Sequence, residues 1–248
     1  MTAGKRPRHG IRSFGTVAVS SWVILGASLA GPASAGSLKV NPVQITLPAA
    51  RQSTLVRMSN GDSVPVSVRV VTLAWSQADG RDVYAATGNV IASPPIFTIA
   101  PGQTQLVRIG LRQRSGTAAY RVIFEEIPRQ QSIDGQIQIT MRLNLPLYVL
   151  PRGGGQADLR WSAWRDSAGE IMVEGRNRGT LHRQVAMLAL DQAGTRTILS
   201  TEMGVVLPGS ARQWKIGRRP QLAAAAPFVL LVKGPAGETR SSIILERR

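Results

Sequence analysis

The sequence predicts an all-β protein built as two immunoglobulin-like sandwiches. Short runs in which apolar and polar residues alternate recur along the whole chain, and residues that accept turn dihedrals separate them at regular spacing. Beyond the first 35 residues, a helical pattern appears only weakly at 222–226, where Pro227 would end any turn that formed. Seven such runs fall in each half, the number and size of an immunoglobulin-type sandwich.

In the first half the predicted strands are 37–47, 53–58, 65–75, 95–99, 103–111, 119–127 and 136–150. Between them lie Asn60-Gly61-Asp62, Ala78-Asp79-Gly80, Pro101-Gly102, Gly116 and Asp134-Gly135, each able to turn the chain. Pro151 stops the last run, and Arg152-Gly153-Gly154-Gly155 reads as a linker because glycine has the freest backbone. The second half predicts strands at 157–164, 171–177, 183–190, 196–201, 212–216, 228–233 and 241–245. The expected organisation is therefore 1–35 leader, 36–151 first sandwich, 152–155 linker and 156–248 second sandwich.

The leader is read from its own chemistry. Lys5, Arg6, Arg8 and Arg12 form a positive start, an apolar run occupies 17–29, and Ala33-Ser34-Ala35 is the small-residue pattern of a signal-peptidase site. Ser20, Ser21 and Ser28 interrupt the run, and it falls short of the roughly 20 residues of a spanning helix. Cleavage would leave a chain starting at Gly36, with 213 residues and 26 Lys/Arg against 14 Asp/Glu, a net +12. No later stretch is long and apolar enough to span a bilayer, so no stable membrane insertion is expected, and a cysteine-free exported chain points to the bacterial periplasm.

Composition narrows the chemistry. The absence of cysteine excludes disulfides, thiolate metal sites and cysteine nucleophiles, and His9 and His182 are the only histidines. Glu125 and Glu126 are adjacent, so on a strand they face opposite ways and cannot work as a carboxylate pair. His182 reads as a surface residue, and Asp79 and Asp134 read as turn residues rather than calcium ligands. No enzyme activity, cofactor or metal is expected. The full chain carries +16, yet Arg57, Arg69, Arg81, Arg108, Arg112, Arg121 and Arg142 are scattered singly, without the clustering or interleaved aromatics of a nucleic-acid groove.

The 136–150 run carries most of the functional signal. Ile137, Ile139, Met141, Leu143 and Leu145 share one face of an extended chain, while Gln138, Thr140, Arg142 and Asn144 share the other. One reading makes this a long inner strand filling its own core. The other offers part of the apolar row to another protein, because a long edge with a hydrophobic row is a template for strand addition.

Three further segments accompany that run: Pro94-Pro95-Ile96-Phe97-Thr98-Ile99-Ala100-Pro101-Gly102-Gln103, then Gln105-Leu106-Val107-Arg108-Ile109, then Tyr120-Arg121-Val122-Ile123-Phe124-Glu125-Glu126-Ile127-Pro128. With Pro146-Leu147-Tyr148-Val149-Leu150-Pro151 closing the series, most of residues 37–151 resembles the PapD-like periplasmic chaperones of chaperone–usher pilus assembly. Tyr120-Arg121 and Asn144-Leu145-Pro146 look like the archaic branch, which handles spore-coat-protein-U-like subunits.

The resemblance implies a boomerang of two sandwiches that lends its donor strand to an incomplete pilus subunit and delivers the subunit to an outer-membrane usher. Ile137, Ile139, Met141 and Leu143 would form the subunit-binding row of the donor strand, the first three entering the subunit's groove and Leu143 lying nearer the chaperone's own core. Well-known members anchor the subunit's terminal carboxylate with an Arg on the first strand and a Lys on the last, but those positions fall here at Pro42 and near Pro146. Arg121 and Arg142 are the replacement candidates, although either could instead pair with Glu125 or Glu126. Arg108 and Glu126 resemble residues that join the two sandwiches through buried ion pairs. A function of another class, a secreted β-sandwich adhesin or structural surface-binding module, remains open at this point.

Overall fold

The computed structural model describes residues 38–114, 116–129, 139–192, 194–219, 222 and 227–247. Its first half holds β1 (Leu38–Asn41), β2 (Ile45–Leu47), β3 (Ser53–Asn60), β4 (Val66–Ala78), β5 (Arg81–Ala86), β6 (Val90–Ser93), β7 (Ile96–Ile99), β8 (Thr104–Leu111), β9 (Ala118–Glu126) and β10 (Arg142–Val149). One sheet runs β1-β3-β8-β6. The facing sheet runs β2-β10-β9-β4-β5, with β7 on the far end of β4. Alternate residues of both sheets meet in one core that includes Ile45, Leu47, Val56, Met58, Val107, Ile109, Val122 and Leu147, all fully buried.

The second half holds β11 (Leu159–Arg165), β12 (Ile171–Asn177), β13 (Arg183–Val185), β14 (Met187–Gln192), β15 (Thr195–Ser200), β16 (Gly204–Val206), β17 (Ala211–Lys215), β18 (Pro227–Gly234) and β19 (Gly237–Arg247). Here β19 pairs with β18 from Gly237 to Ile244 and with β11 over its last three residues, so one long strand links β15-β14-β18 to β11-β12-β17. A separate core gathers Ile171, Val173, Val185, Leu188, Trp214 and Leu230. Buried Asn60 and Asn177 end equivalent strands in the two halves. Each gives its amide to two backbone carbonyls, Val64 and Ile99 for the first, Leu181 and Val206 for the second.

The all-β expectation holds among the described residues, with corrections in detail. The expected 37–47 strand is two: β1 pairs with β3 in one sheet, the chain breaks at Pro42, and β2 pairs with β10 in the other. Within 136–150, the described strand starts only at Arg142, and 136–138 lie outside the described residues. The 183–190 run divides into β13 and β14, and β5, β6 and β16 went unforeseen because each is short or mostly exposed. The Asp79-Gly80 hairpin is as expected, closing β4 onto β5 with Ala78 opposite Arg81. The leader and the Asp134-Gly135 turn lie outside the described residues.

Candidate functional site

Strand β10 has one satisfied edge and one open edge. It pairs antiparallel with β9 along its whole length, from Arg142 opposite Glu125 to Val149 opposite Ala118. On the other side β2 pairs only with Leu147, Tyr148 and Val149. From Arg142 to Pro146 that side has no strand partner among the described residues.

The direction of the open edge follows from one hydrogen bond. Glu126 N–H donates to Met141 O at 2.9 Å, which makes Arg142 and Glu125 a non-hydrogen-bonded pair. Leu143 and Leu145 therefore turn their backbone groups toward β9, while Arg142 and Asn144 turn theirs outward. Pro146 belongs to the outward set and has no N–H to leave unpaired. Glu126 also accepts from Met141 N–H through Oε2 at 3.0 Å, holding the chain at the point where it enters β10.

Along β10 the inward side chains change from core to exposed. Leu145 and Leu147 are buried, and Leu143 is half-buried against the core. Met141 and Leu143 line a small hollow at the mouth of the sandwich with Leu38, Met58, Val68 and Phe124. Ile139 is 87% exposed, although burying its side chain would be favourable by roughly 1.5–3 kcal/mol. Ile137 lies outside the described residues.

The outward face of the same sheet carries the cations. Cross-strand rows run Trp75–Ala119–Tyr148, then Leu73–Arg121–Pro146, then Val71–Ile123–Asn144, then Arg69–Glu125–Arg142. Arg121 and Arg142 thus share a face but stand two rows apart, roughly 13 Å along the strand. Glu125 takes Arg142 Nε at 3.0 Å and Arg69 Nη2 at 2.8 Å, with both arginines largely exposed, a pairing of small energetic weight.

Arg121 is placed differently. Its guanidinium carbon lies 3.8 Å over the Trp75 ring and 5.8 Å from the Tyr84 ring, and no acidic partner meets it among the described residues. Its Nε is buried without an acceptor there. It lines a cavity of about 200 Å³ between the two sandwiches, with Trp75, Asp82, Gln184, Val205 and Arg212.

That cavity adjoins a built joint. Asp82 accepts from Trp75 Nε1 at 3.0 Å and Gln77 Nε2 at 2.7 Å, and pairs with Arg212 Nη1 at 2.7 Å. Burial alone would raise the Asp82 carboxyl, but these hydrogen bonds and the Arg212 charge outweigh it and hold the carboxyl below its usual value. Gln77 also donates to Val205 O at 2.7 Å and accepts from Leu207 N–H at 2.9 Å. At the hairpin tip Gly80, at φ +74°, accepts from Gln213 N–H at 3.1 Å, and a Cβ there would lie 2.5 Å from Gln213 Cγ. Trp75, Tyr148 and Leu207 form a small apolar cluster across the joint. Burial pushes the Tyr148 phenol up to about 12, against the pull of the Arg121 charge.

Two expectations are corrected here. Among the described residues Arg108 and Glu126 do not join the sandwiches: Arg108 Nη1 reaches Ser53 Oγ at 3.3 Å on the β3–β8 face, Glu126 lies in the opposite sheet, and the ion pair found spanning them there is Asp82–Arg212. His182 is no free surface group, since it stacks on Tyr148 with ring centroids 3.5 Å apart and an interplanar angle of 9°, and burial lowers its pKa. Sequence reasoning missed Asp82, Arg212 and Gln77 because each sits singly in a strand pattern; the Asp79-Gly80 turn was the available signal.

Residues 37–154 match the family of pili and flagellar-assembly chaperones, PapD N-terminal domain. The fold is similar to a chain from the CsuC–CsuE chaperone–tip adhesion subunit pre-assembly complex of the archaic chaperone-usher Csu pili of Acinetobacter baumannii, at 19% identity, covering 85% of this chain and 99% of that one, with a TM-score of 0.67. It is also similar to the Pseudomonas aeruginosa CupB2 chaperone, at 17% identity, 84% and 100% coverage and a TM-score of 0.54. A third likeness is to the Salmonella enterica SafA pilin–SafB chaperone complex, at 15% identity, 84% and 96% coverage and a TM-score of 0.57. No curated protein sequence matches the chain.

Proposed function

Through residues 37–154 the chain belongs to the PapD-type pilus-assembly chaperones, and from that premise we propose that it captures pilus subunits in the periplasm by donating β10 and the residues before it, then delivers them to an outer-membrane usher. The open edge of β10 from Arg142 to Pro146 is the observation that carries this reading. A subunit strand added there would find outward backbone groups at Arg142 and Asn144, and Ile137, Ile139 and Met141 would fill the subunit's groove beside it. Leu143 would remain with the chaperone's own core.

Both the Csu and Saf complexes are, by description, chaperones bound to subunits, which supports a subunit as partner here. The archaic likeness favours a spore-coat-U-like subunit. Of the two arginines, Arg121 is better suited to hold a terminal carboxylate, because its charge is uncompensated in a cavity whereas Arg142 is held by Glu125. Residues 1–35 would serve as the export signal and be removed. No catalytic step is needed: the subunit's later completion by a neighbouring subunit would supply the driving force.

The test is co-expression with a spore-coat-U-like subunit encoded beside the chaperone, followed by affinity purification from the periplasm. A stoichiometric complex that resists proteolysis is expected. Recovery of the chaperone alone, with the subunit aggregated as it is in cells lacking the chaperone, would overturn the proposal.

A further inference from the structure

The cavity at the joint holds two guanidinium groups from different sandwiches. Arg121 comes from β9, rests on Trp75 and has no acidic partner among the described residues. Arg212 comes from β17, and its side chain is only 15% exposed. Its Nη1 is engaged by Asp82 at 2.7 Å, whereas Nη2 reaches only Glu202 Oε1 at 3.3 Å, and that glutamate side chain is 62% exposed. Gly204 lets the backbone close on the Arg212 side chain, since a Cβ there would lie 2.4 Å from Nε. Arg212 is therefore fixed on one side by a short, half-buried pair and held on the other by a long, solvent-facing one.

The charge balance of the cavity is unequal. Two cations face one enclosed carboxylate, Asp82, and that carboxylate already accepts from Trp75, Gln77 and Arg212. A cavity of about 200 Å³ bordered by the Trp75 ring and the Val205 backbone has room for a planar carboxylate with a small residue behind it.

We propose that Arg212 is the second arm of the subunit-anchoring site, so that a peptide's terminal carboxylate bridges Arg121 of the first sandwich and Arg212 of the second and takes the place of Glu202. The inference rests on the carboxylate role assigned to Arg121 above. Glu202 is a placeholder that occupies Nη2 until the ligand arrives. The consequence is a coupling: because Arg212 also bonds Asp82, an anchored subunit is tied to the contact that sets the two sandwiches against each other.

The probe is N-acetylglycine, a minimal terminal carboxylate, titrated into the whole mature chain labelled with nitrogen-15 arginine, against N-acetylglycinamide at matched ionic strength. The Nε–H signals of both Arg121 and Arg212 are expected to shift saturably with the acid and not with the amide. Arg212→Gln should weaken binding about tenfold, the loss of one charge-assisted hydrogen bond. Glu202→Gln, an exposed change that leaves the Asp82 pair intact, should tighten binding severalfold.

An unmoved Arg212 signal, wild-type affinity in Arg212→Gln, or unchanged or weaker binding in Glu202→Gln would each overturn the proposal. Subunit capture by wild-type protein with no response at Arg212 would remove this inference and leave the chaperone function standing. Acid binding without subunit capture would do the reverse.

Discussion

Replacing Ile139 with Asp separates a donated strand from a strand that only completes its own sandwich. In the free protein the Ile139 side chain is 87% exposed, so a charge there meets water, and the stability change should stay within about 0.5 kcal/mol. In a subunit groove the same change forfeits roughly 1.5–3 kcal/mol of apolar burial and adds several kcal/mol for a carboxylate without a partner. Together these exceed about 4 kcal/mol, or roughly a thousandfold in affinity. The internal control is Leu147→Ala, two turns of the same alternation beyond Leu143 and fully buried, which should cost about 2–5 kcal/mol of stability. At about 2–4 °C per kcal/mol, Leu147→Ala should melt on the order of 10 °C lower, while Ile139→Asp should melt within about 2 °C of wild type. The assay is thermal unfolding of each isolated variant beside co-purification with the subunit. The reasoning is refuted if Ile139→Asp melts as low as the control, or if it still captures subunit at the wild-type level.

Asn144→Pro removes an edge N–H that the protein's own sheet does not use, so co-purified subunit should fall at least tenfold while the far-ultraviolet dichroism keeps its β signature. Gly80→Ala forces a side chain to φ +74° and against Gln213, so the melting temperature should fall by the equivalent of about 1–2 kcal/mol or more. For His182, burial lowers the folded pKa below 6.5, so the unfolded chain binds the extra proton first; stability should be full above that pH and fall as pH drops through it. His182→Phe keeps the stack on Tyr148 and should flatten the melting-temperature profile between about pH 7 and 5. N-terminal mass analysis of periplasmic protein should give a chain starting at Gly36, and a mature form retaining the apolar 17–29 run would contradict the leader assignment.

Period-two alternation made the sandwiches legible because each strand buries one face, and Ile171–Asn177 shows how closely a strand whose inward set begins with Ile171 and Val173 can be bounded from sequence. The same rule failed at β5, whose residues are nearly all exposed, and at Pro42, where one alternating run serves two sheets. Arg121 was legible as a candidate because it follows Tyr120 in a strand whose partner was also recognisable. The joint was not. Asp82 and Arg212 are 130 residues apart, and neither carries a local pattern that distinguishes it from a solvated strand residue. Such pairs are set by the tertiary contact between two folded units, which periodicity within one unit does not encode.

Alternation along one strand also explains how edge and joint coexist. Inward residues of β10 and its approach pass from core at Leu147 to open at Ile139, while the outward residues Asn144, Pro146 and Tyr148 run along the face that ends on Trp75, Leu207 and His182. Under the proposed function, the inward residues just before β10 serve the subunit, the inward residues of β10 itself fill the chaperone's own core, and the outward set serves the joint. A slip of one residue would exchange the two sets. Glu126 guards against that slip, because its own N–H reaches Met141 O and its carboxylate takes Met141 N–H, fixing the register at the end where β2 offers no support. Glu126 therefore contributes by holding β10 in register, a role that needs no acidic or basic partner from the second sandwich.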